Sequence, residues 1–163
     1  AARADAVVLT GARWHGGLSP GPALAQALAP FGFGGPGFAS ATEIGAARLR
    51  DGRALPAGER VLLVSGLARP KELARAARGA GYDVAGELRF ADHHPYPEAS
   101  LARIRRAYAE SGAAAVLTSG KDRVKLHGRL ELPLAELPVR ADPEPAFWEW
   151  LDGALAALPG RAA

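Results

Sequence analysis

Apolar positions along this chain fall into short continuous runs separated by stretches of helical period, most regularly after residue 59. The runs "RVLLVSG" (60–66), "YDVAGELRF" (82–90) and "AAAVLTSG" (113–120) predict buried strands. "PKELARAARGAG" (70–81) predicts a helix, with proline at its start and glycine near its end. "PEASLARIRRAYAESG" (97–112) predicts another, with Leu101, Ile104 and Tyr108 on one face and Arg103 and Arg106 mostly away from it. A short helix "KDRVKL" (121–126), a last strand in "LPLAELPVRA" (132–141) and an amphipathic helix in "PEPAFWEWLDGALAAL" (143–158) follow. That closing helix carries Phe147, Trp148 and Leu151, and its Trp148 and Trp150 are expected to pack on a core or on a partner domain.

The first third is less regular. "DAVVLT" (5–10) reads as a short buried strand ended by Gly11, and "ALAQALA" (23–29) as a short helix stopped by Pro30. "FGFGGPG" (31–37) is too rich in glycine for regular structure and suggests a hinge. Residues 38–50 read as a strand, with "DGR" (51–53) as a hairpin turn. Strands alternating with helices indicate an α/β fold: a mostly parallel sheet with flanking helices in a Rossmann-like three-layer arrangement, preceded by a short strand and hairpin linker. The expected division is 1–58 as linker and 59–163 as the α/β domain.

Composition narrows the chemistry. The 163 residues hold no cysteine, which excludes disulfides, thiolate metal sites and cysteine nucleophiles. No apolar run approaches the roughly 18 residues of a membrane span. Methionine is absent even at position 1, so the chain reads as a piece of a longer protein whose N-terminal part is missing. The net charge is +3, and arginine supplies most of the 20 basic residues. Two readings are open: a coding bias, or arginines gathered near an anionic substrate or membrane face. Basic runs interleaved with aromatics do not occur, so nucleic acid is not an expected partner.

In open α/β sheets functional groups collect beyond the carboxyl ends of the strands. Three such loops stand out: "SGLARP" (65–70), "ADHHPY" (91–96) and "TSGKD" (118–122). Parallel neighbouring strands would open all three on one edge. In the second, a histidine can serve as general acid or base and a carboxylate can orient it; the alternative is a histidine that only caps the next helix. Adjacent histidines rarely share an ion, and no metal ligand is assigned. Ser65 and Gly66 are placed to offer backbone N–H groups to an anion, or else form an ordinary turn. Gly120-Lys121 is a Gly-Lys pair but not part of a P-loop, and an ion pair between Lys121 and Asp122 is the simpler reading. His127 is expected at a helix end, and His15, beside Trp14, has no assigned role.

Taken in order, "RADAVVLT" at Arg3, "VLLVSGLARPKEL" at Val61, "FADHHPY" at Phe90 and "VLTSGKDRVKL" at Val116 resemble the C-terminal half of the tetraacyldisaccharide 4'-kinases of lipid A biosynthesis. The resemblance covers nearly the whole chain. It departs at Ser119-Gly120, where the family usually has Thr-Glu, while Lys121, Asp122 and Lys125 are retained. No G-x-x-x-x-G-K-[ST] segment is present. The resemblance implies ATP-dependent phosphorylation of the 4'-hydroxyl of a lipid disaccharide 1-phosphate, giving lipid IVA, with Mg2+, at the cytoplasmic face of the inner membrane. It further implies an N-terminal P-loop domain of the same protein as partner, a peripheral membrane contact, and neither ATP nor Mg2+ bound by this segment alone. The family histidine that assists an upstream aspartate matches His93, with Asp92 orienting it. Ser65, Arg69, His94, Lys121 and Asp122 are the expected substrate or phosphate contacts. Two other classes stay open: a metal-dependent Asp-His-His phosphoesterase, and a non-catalytic α/β binding module.

Overall fold

The computed structural model describes residues 4–12 and 19–158, so Trp14 and His15 lie outside the described residues. The chain divides into two compact units, residues 44–139 and the segments that flank them, 1–43 with 140–163.

The central unit is a three-layer α/β structure. Its strands are β3 (Arg48–Leu49), β4 (Arg60–Ser65), β5 (Asp83–Arg89), β6 (Ala115–Thr118) and β7 (Leu134–Glu136), in the order β3-β7-β6-β4-β5. β4, β5, β6 and β7 run parallel, and only β3 is antiparallel, against β7. The continuous apolar run of β4 is explained by burial on both faces. Val61 and Leu63 face helix α2 (Pro70–Gly79) and its Leu73, Ala74 and Ala77. Leu62 and Val64 face the opposite layer, with Leu101 and Ile104 of α3 (Glu98–Ser111) and Leu126 of α4 (Gly120–Leu126). α3 stops at Gly112, whose φ of 64° is the left-handed conformation that glycine adopts without a steric cost.

The flanking segments form the other unit, a three-stranded sheet ordered β1-β2-β8 from β1 (Val7–Thr10), β2 (Gly37–Ile44) and β8 (Val139–Pro143), with helices α1 (Gly21–Leu28) and α5 (Pro145–Ala156). Glu144 ties it together: its carboxylate accepts from the Ala39 N–H and the Ser19 hydroxyl, both at 2.8 Å. α1 ends at Leu28, ahead of Pro30, and a 3-10 turn over Ala29–Phe31 follows it. The glycines that suggest a hinge have a packing role. A side chain at Gly37 would collide with the backbone of Gly21, and one at Gly21 with that of Phe38, so α1 lies directly on β2.

Three expectations need correction. The boundary at 58 is misplaced, because residues 44–58 complete the central unit: β3 pairs with β7, and Ala47 and Leu55 are buried in its core, bridged by the Tyr82 hydroxyl at 2.9 and 3.0 Å. The stretch 132–141 is two strands in two sheets, β7 and β8, parted at Pro138. β1 is mostly exposed rather than buried. In α5, Phe147 and Trp150 pack against Phe38 with ring centroids 5.5 and 5.6 Å away, whereas Trp148 is 51% exposed. Among the described residues no helix is long and apolar enough to cross a membrane.

Candidate functional site

Because β4, β5 and β6 are parallel neighbours, the loops 65–70, 91–96 and 118–122 do open on one edge of the central sheet. They are joined by hydrogen bonds. The Phe90 N–H donates to the Ser65 carbonyl at 2.8 Å and the His93 N–H to the Gly66 carbonyl at 3.2 Å. The Thr118 hydroxyl donates to the Val64 carbonyl at 2.7 Å.

Asp122 is the hub. Its side chain is 0% exposed, and Oδ2 accepts from the Gly66 N–H at 2.9 Å and the Ser119 hydroxyl at 3.0 Å. Ser119 caps α4 in return, accepting from the Asp122 N–H at 3.2 Å. Of the two readings of Ser65-Gly66, the Gly66 N–H follows the ordinary turn, since it bonds an internal carboxylate. Ser65 is equally buried. Asp122 does not pair with Lys121; Lys125 Nζ stands 3.8 Å from its Oδ1, and Lys121 is exposed on α4. Arg69 is exposed and lies 3.3 Å from Glu72. His127 caps the C-terminus of α4 as expected. A side chain at Gly120 would fall 2.7 Å from Glu136 Oε1, whose Oε2 pairs with Arg123 at 2.6 Å, so the carboxylate of Glu136 occupies the space beside Gly120.

The two adjacent histidines have different environments. His94 is half-buried, stacked on Phe90 at 4.8 Å, with Nε2 2.8 Å from the Ser100 hydroxyl. It holds the loop to α3. His93 is 82% exposed, with Nε2 3.8 Å from Asp92 Oδ2, and Asp92 Oδ1 accepts its backbone N–H at 3.0 Å. His93 has φ 58° and Tyr96 φ 52°, the left-handed region that non-glycine residues occupy at a cost. Tyr96 is held by Arg129, whose guanidinium donates to the Pro95 and Tyr96 carbonyls at 3.1 and 2.7 Å, and His93 by its N–H bond to the Gly66 carbonyl. Sequence reasoning missed Arg129 and Ser100, which lie in other segments, and did not single out Tyr96.

The Tyr96 ring is fully buried, and its hydroxyl and Asp122 Oδ1 both come close beside Gly66. Burial first, then the Asp122 carboxylate, push the phenol well above the usual tyrosine range. An unfolded tyrosine ionises near pH 10, at about 10. The folded chain therefore keeps a proton that the unfolded chain has lost, and stability falls as pH rises past that point, by up to about 1.4 kcal/mol per pH unit. Urea midpoints between about pH 10 and 11 should fall more steeply for wild type than for Tyr96→Phe. Equal slopes would show that the phenol ionises in the fold as it does in the open chain.

Comparison with known proteins identifies the family and the fold. The tetraacyldisaccharide-1-P 4'-kinase (LpxK) family matches residues 1–156. A tetraacyldisaccharide 4'-kinase of Nitrobacter hamburgensis is 34% identical over 128 residues, covering 71% of this chain and 37% of that protein. One from Anaeromyxobacter sp. (strain K) is 37% identical over 120 residues, covering 68% of this chain and 32% of the relative. The chain thus spans about a third of the length of these relatives. The fold is shared with the LpxK of Aquifex aeolicus, crystallised in complex with ATP, at a TM-score of 0.53 and 23% identity over 94% of this chain and 42% of that one. With four loop and strand motifs in order on this fold, the chain belongs to the tetraacyldisaccharide-1-P 4'-kinase family.

Proposed function

We propose that this chain is the C-terminal part of a kinase that moves the γ-phosphoryl group of ATP to the 4'-hydroxyl of a tetraacyldisaccharide 1-phosphate, giving lipid IVA. The observation that carries this reading is the exposed His93–Asp92 pair, fixed in a strained loop at the carboxyl edge of a parallel sheet. In such a transfer the acceptor oxygen bonds to phosphorus, the bond to ADP breaks, and the hydroxyl proton passes to a base. His93 supports that base, supplied by an aspartate outside these residues, and Asp92 sets the orientation of the His93 loop. Arg69 and Lys121, both exposed on the same edge, are the cations offered to phosphate.

The nucleotide's phosphates are assigned to a P-loop domain outside these residues, since no G-x-x-x-x-G-K-[ST] segment occurs here. A magnesium ion accompanying ATP is assigned to that domain with the phosphates, since it is held by one or two carboxylates together with them. An acylated acceptor lies at a membrane surface, and on this reading that surface is the cytoplasmic face of the inner membrane. In the test, full-length protein is given γ-labelled ATP and a tetraacyldisaccharide 1-phosphate. Label in the lipid supports the reading; ATP turnover without lipid labelling, or no turnover, rejects it.

A further inference from the structure

On the α2 face of the central sheet an open groove of about 510 Å³ is lined by Lys71, Arg75 and Arg78 of α2 and Arg89 of β5, with Ala74 and Gly79 leaving room between them. β5 has β4 as its single neighbour, so the groove opens at the edge of the sheet. The carboxylate of Glu87 is shared between Arg78 at 2.7 Å and Arg89. Hydrogen bonds from Arg89 and then Arg78 hold that carboxyl below the usual range, so it stays charged. Lys71 and Arg75 have no ion pair among the described residues. Four cations therefore line the groove, two of them tied to Glu87.

Residues 71, 75 and 78 follow the i, i+4, i+7 spacing and form one stripe about 10 Å long at 1.5 Å per residue. A stripe of that length, open to solvent, spans neighbouring head groups, whereas a single phosphate is held by groups that converge on it. No aromatic side chain lines the groove, so unstacked bases find no platform. We propose that this groove docks the chain onto an anionic phospholipid surface, its guanidinium and ammonium groups meeting lipid phosphates. The inference rests on the charge and shape of the groove and not on the phosphoryl-transfer reading.

The 163-residue chain should co-sediment with vesicles containing phosphatidylglycerol and not with phosphatidylcholine vesicles, and added salt should release it. Each cation close to such a surface contributes on the order of fivefold in binding. Lys71→Gln/Arg75→Gln should therefore lose about twenty-five-fold. The control, Arg50→Gln/Arg106→Gln, removes equal charge from exposed positions outside the groove and should bind as wild type. Equal losses in both variants, or none in the groove variant, overturn the proposal, as does wild type that ignores anionic vesicles. Inorganic phosphate that perturbs groove resonances in a chain that binds no vesicle would make the groove a soluble-anion site and overturn it too. All four side chains are exposed, so circular dichroism should show both variants folded.

Discussion

If the proposed phosphoryl transfer holds, replacing His93 with glycine in the full-length protein should lower turnover by about a hundredfold or more, the lower range for a lost proton-transfer group. The same change should stabilise the fold by on the order of 1 kcal/mol, because glycine adopts φ 58° without the penalty that a β-carbon brings. The opposed signs separate the hypotheses. A histidine kept only for the loop's conformation would yield a more stable and equally active glycine variant. His93→Ala, which retains the strain, should lose turnover as glycine does and gain no stability. The measurements are kcat with saturating ATP and urea midpoints of the three proteins. A glycine variant as active as wild type would remove His93 from the chemistry.

Asp122→Ala should be the most destabilising single change at this edge, by about 3 kcal/mol, because it strands the buried Gly66 N–H and removes the carboxylate opposite Lys125. In a unit of this size that corresponds to a fall in Tm on the order of 15 °C. Turnover should fall with it, since the Gly66 carbonyl is what the His93 N–H holds. Asp122→Asn keeps two acceptor positions for the Gly66 N–H and the Ser119 hydroxyl, so its melting curve should lie much nearer wild type. A melting temperature unchanged in Asp122→Ala would show that the loops are joined through other bonds.

The layout of the central unit was legible because burial on both faces leaves an unmistakable trace, four apolar residues in a row at 61–64, with caps and glycines marking the helix ends between. Where a strand's partner decides its identity, the text is silent. Nothing local in "LPLAELPVRA" says that Leu134–Glu136 belongs beside β6 and Val139–Pro143 beside β2. The same holds for residues 44–58, whose place in the core depends on Tyr82 and β7, far along the chain. At the candidate site, the Asp-His-His motif singled out the 91–96 loop. It could not separate its histidines, because the difference lies in Phe90 and Ser100 on either side of His94. Asp122 was read as a ligand contact for a related reason: a carboxylate in a loop motif looks the same whether its acceptor positions face solvent or a backbone N–H.

The parting of β7 from β8 at Pro138 has a consequence for how the chain acquires its structure. β2 and β8 lie in one sheet but are about ninety residues apart, and closing so long a loop costs about 4 kcal/mol of chain entropy. The central unit is contiguous, and when it forms, the Gly45 N–H meets the Pro138 carbonyl at 3.0 Å, which brings its two ends together. Its folding thereby prepays that entropy, and the flanking sheet inherits a closed loop. During synthesis the flanking sheet has to wait for β8 to leave the ribosome, whereas the central unit has no such debt to later sequence. The order of folding is therefore inside first and outside second, the reverse of the order in which the first strand is made.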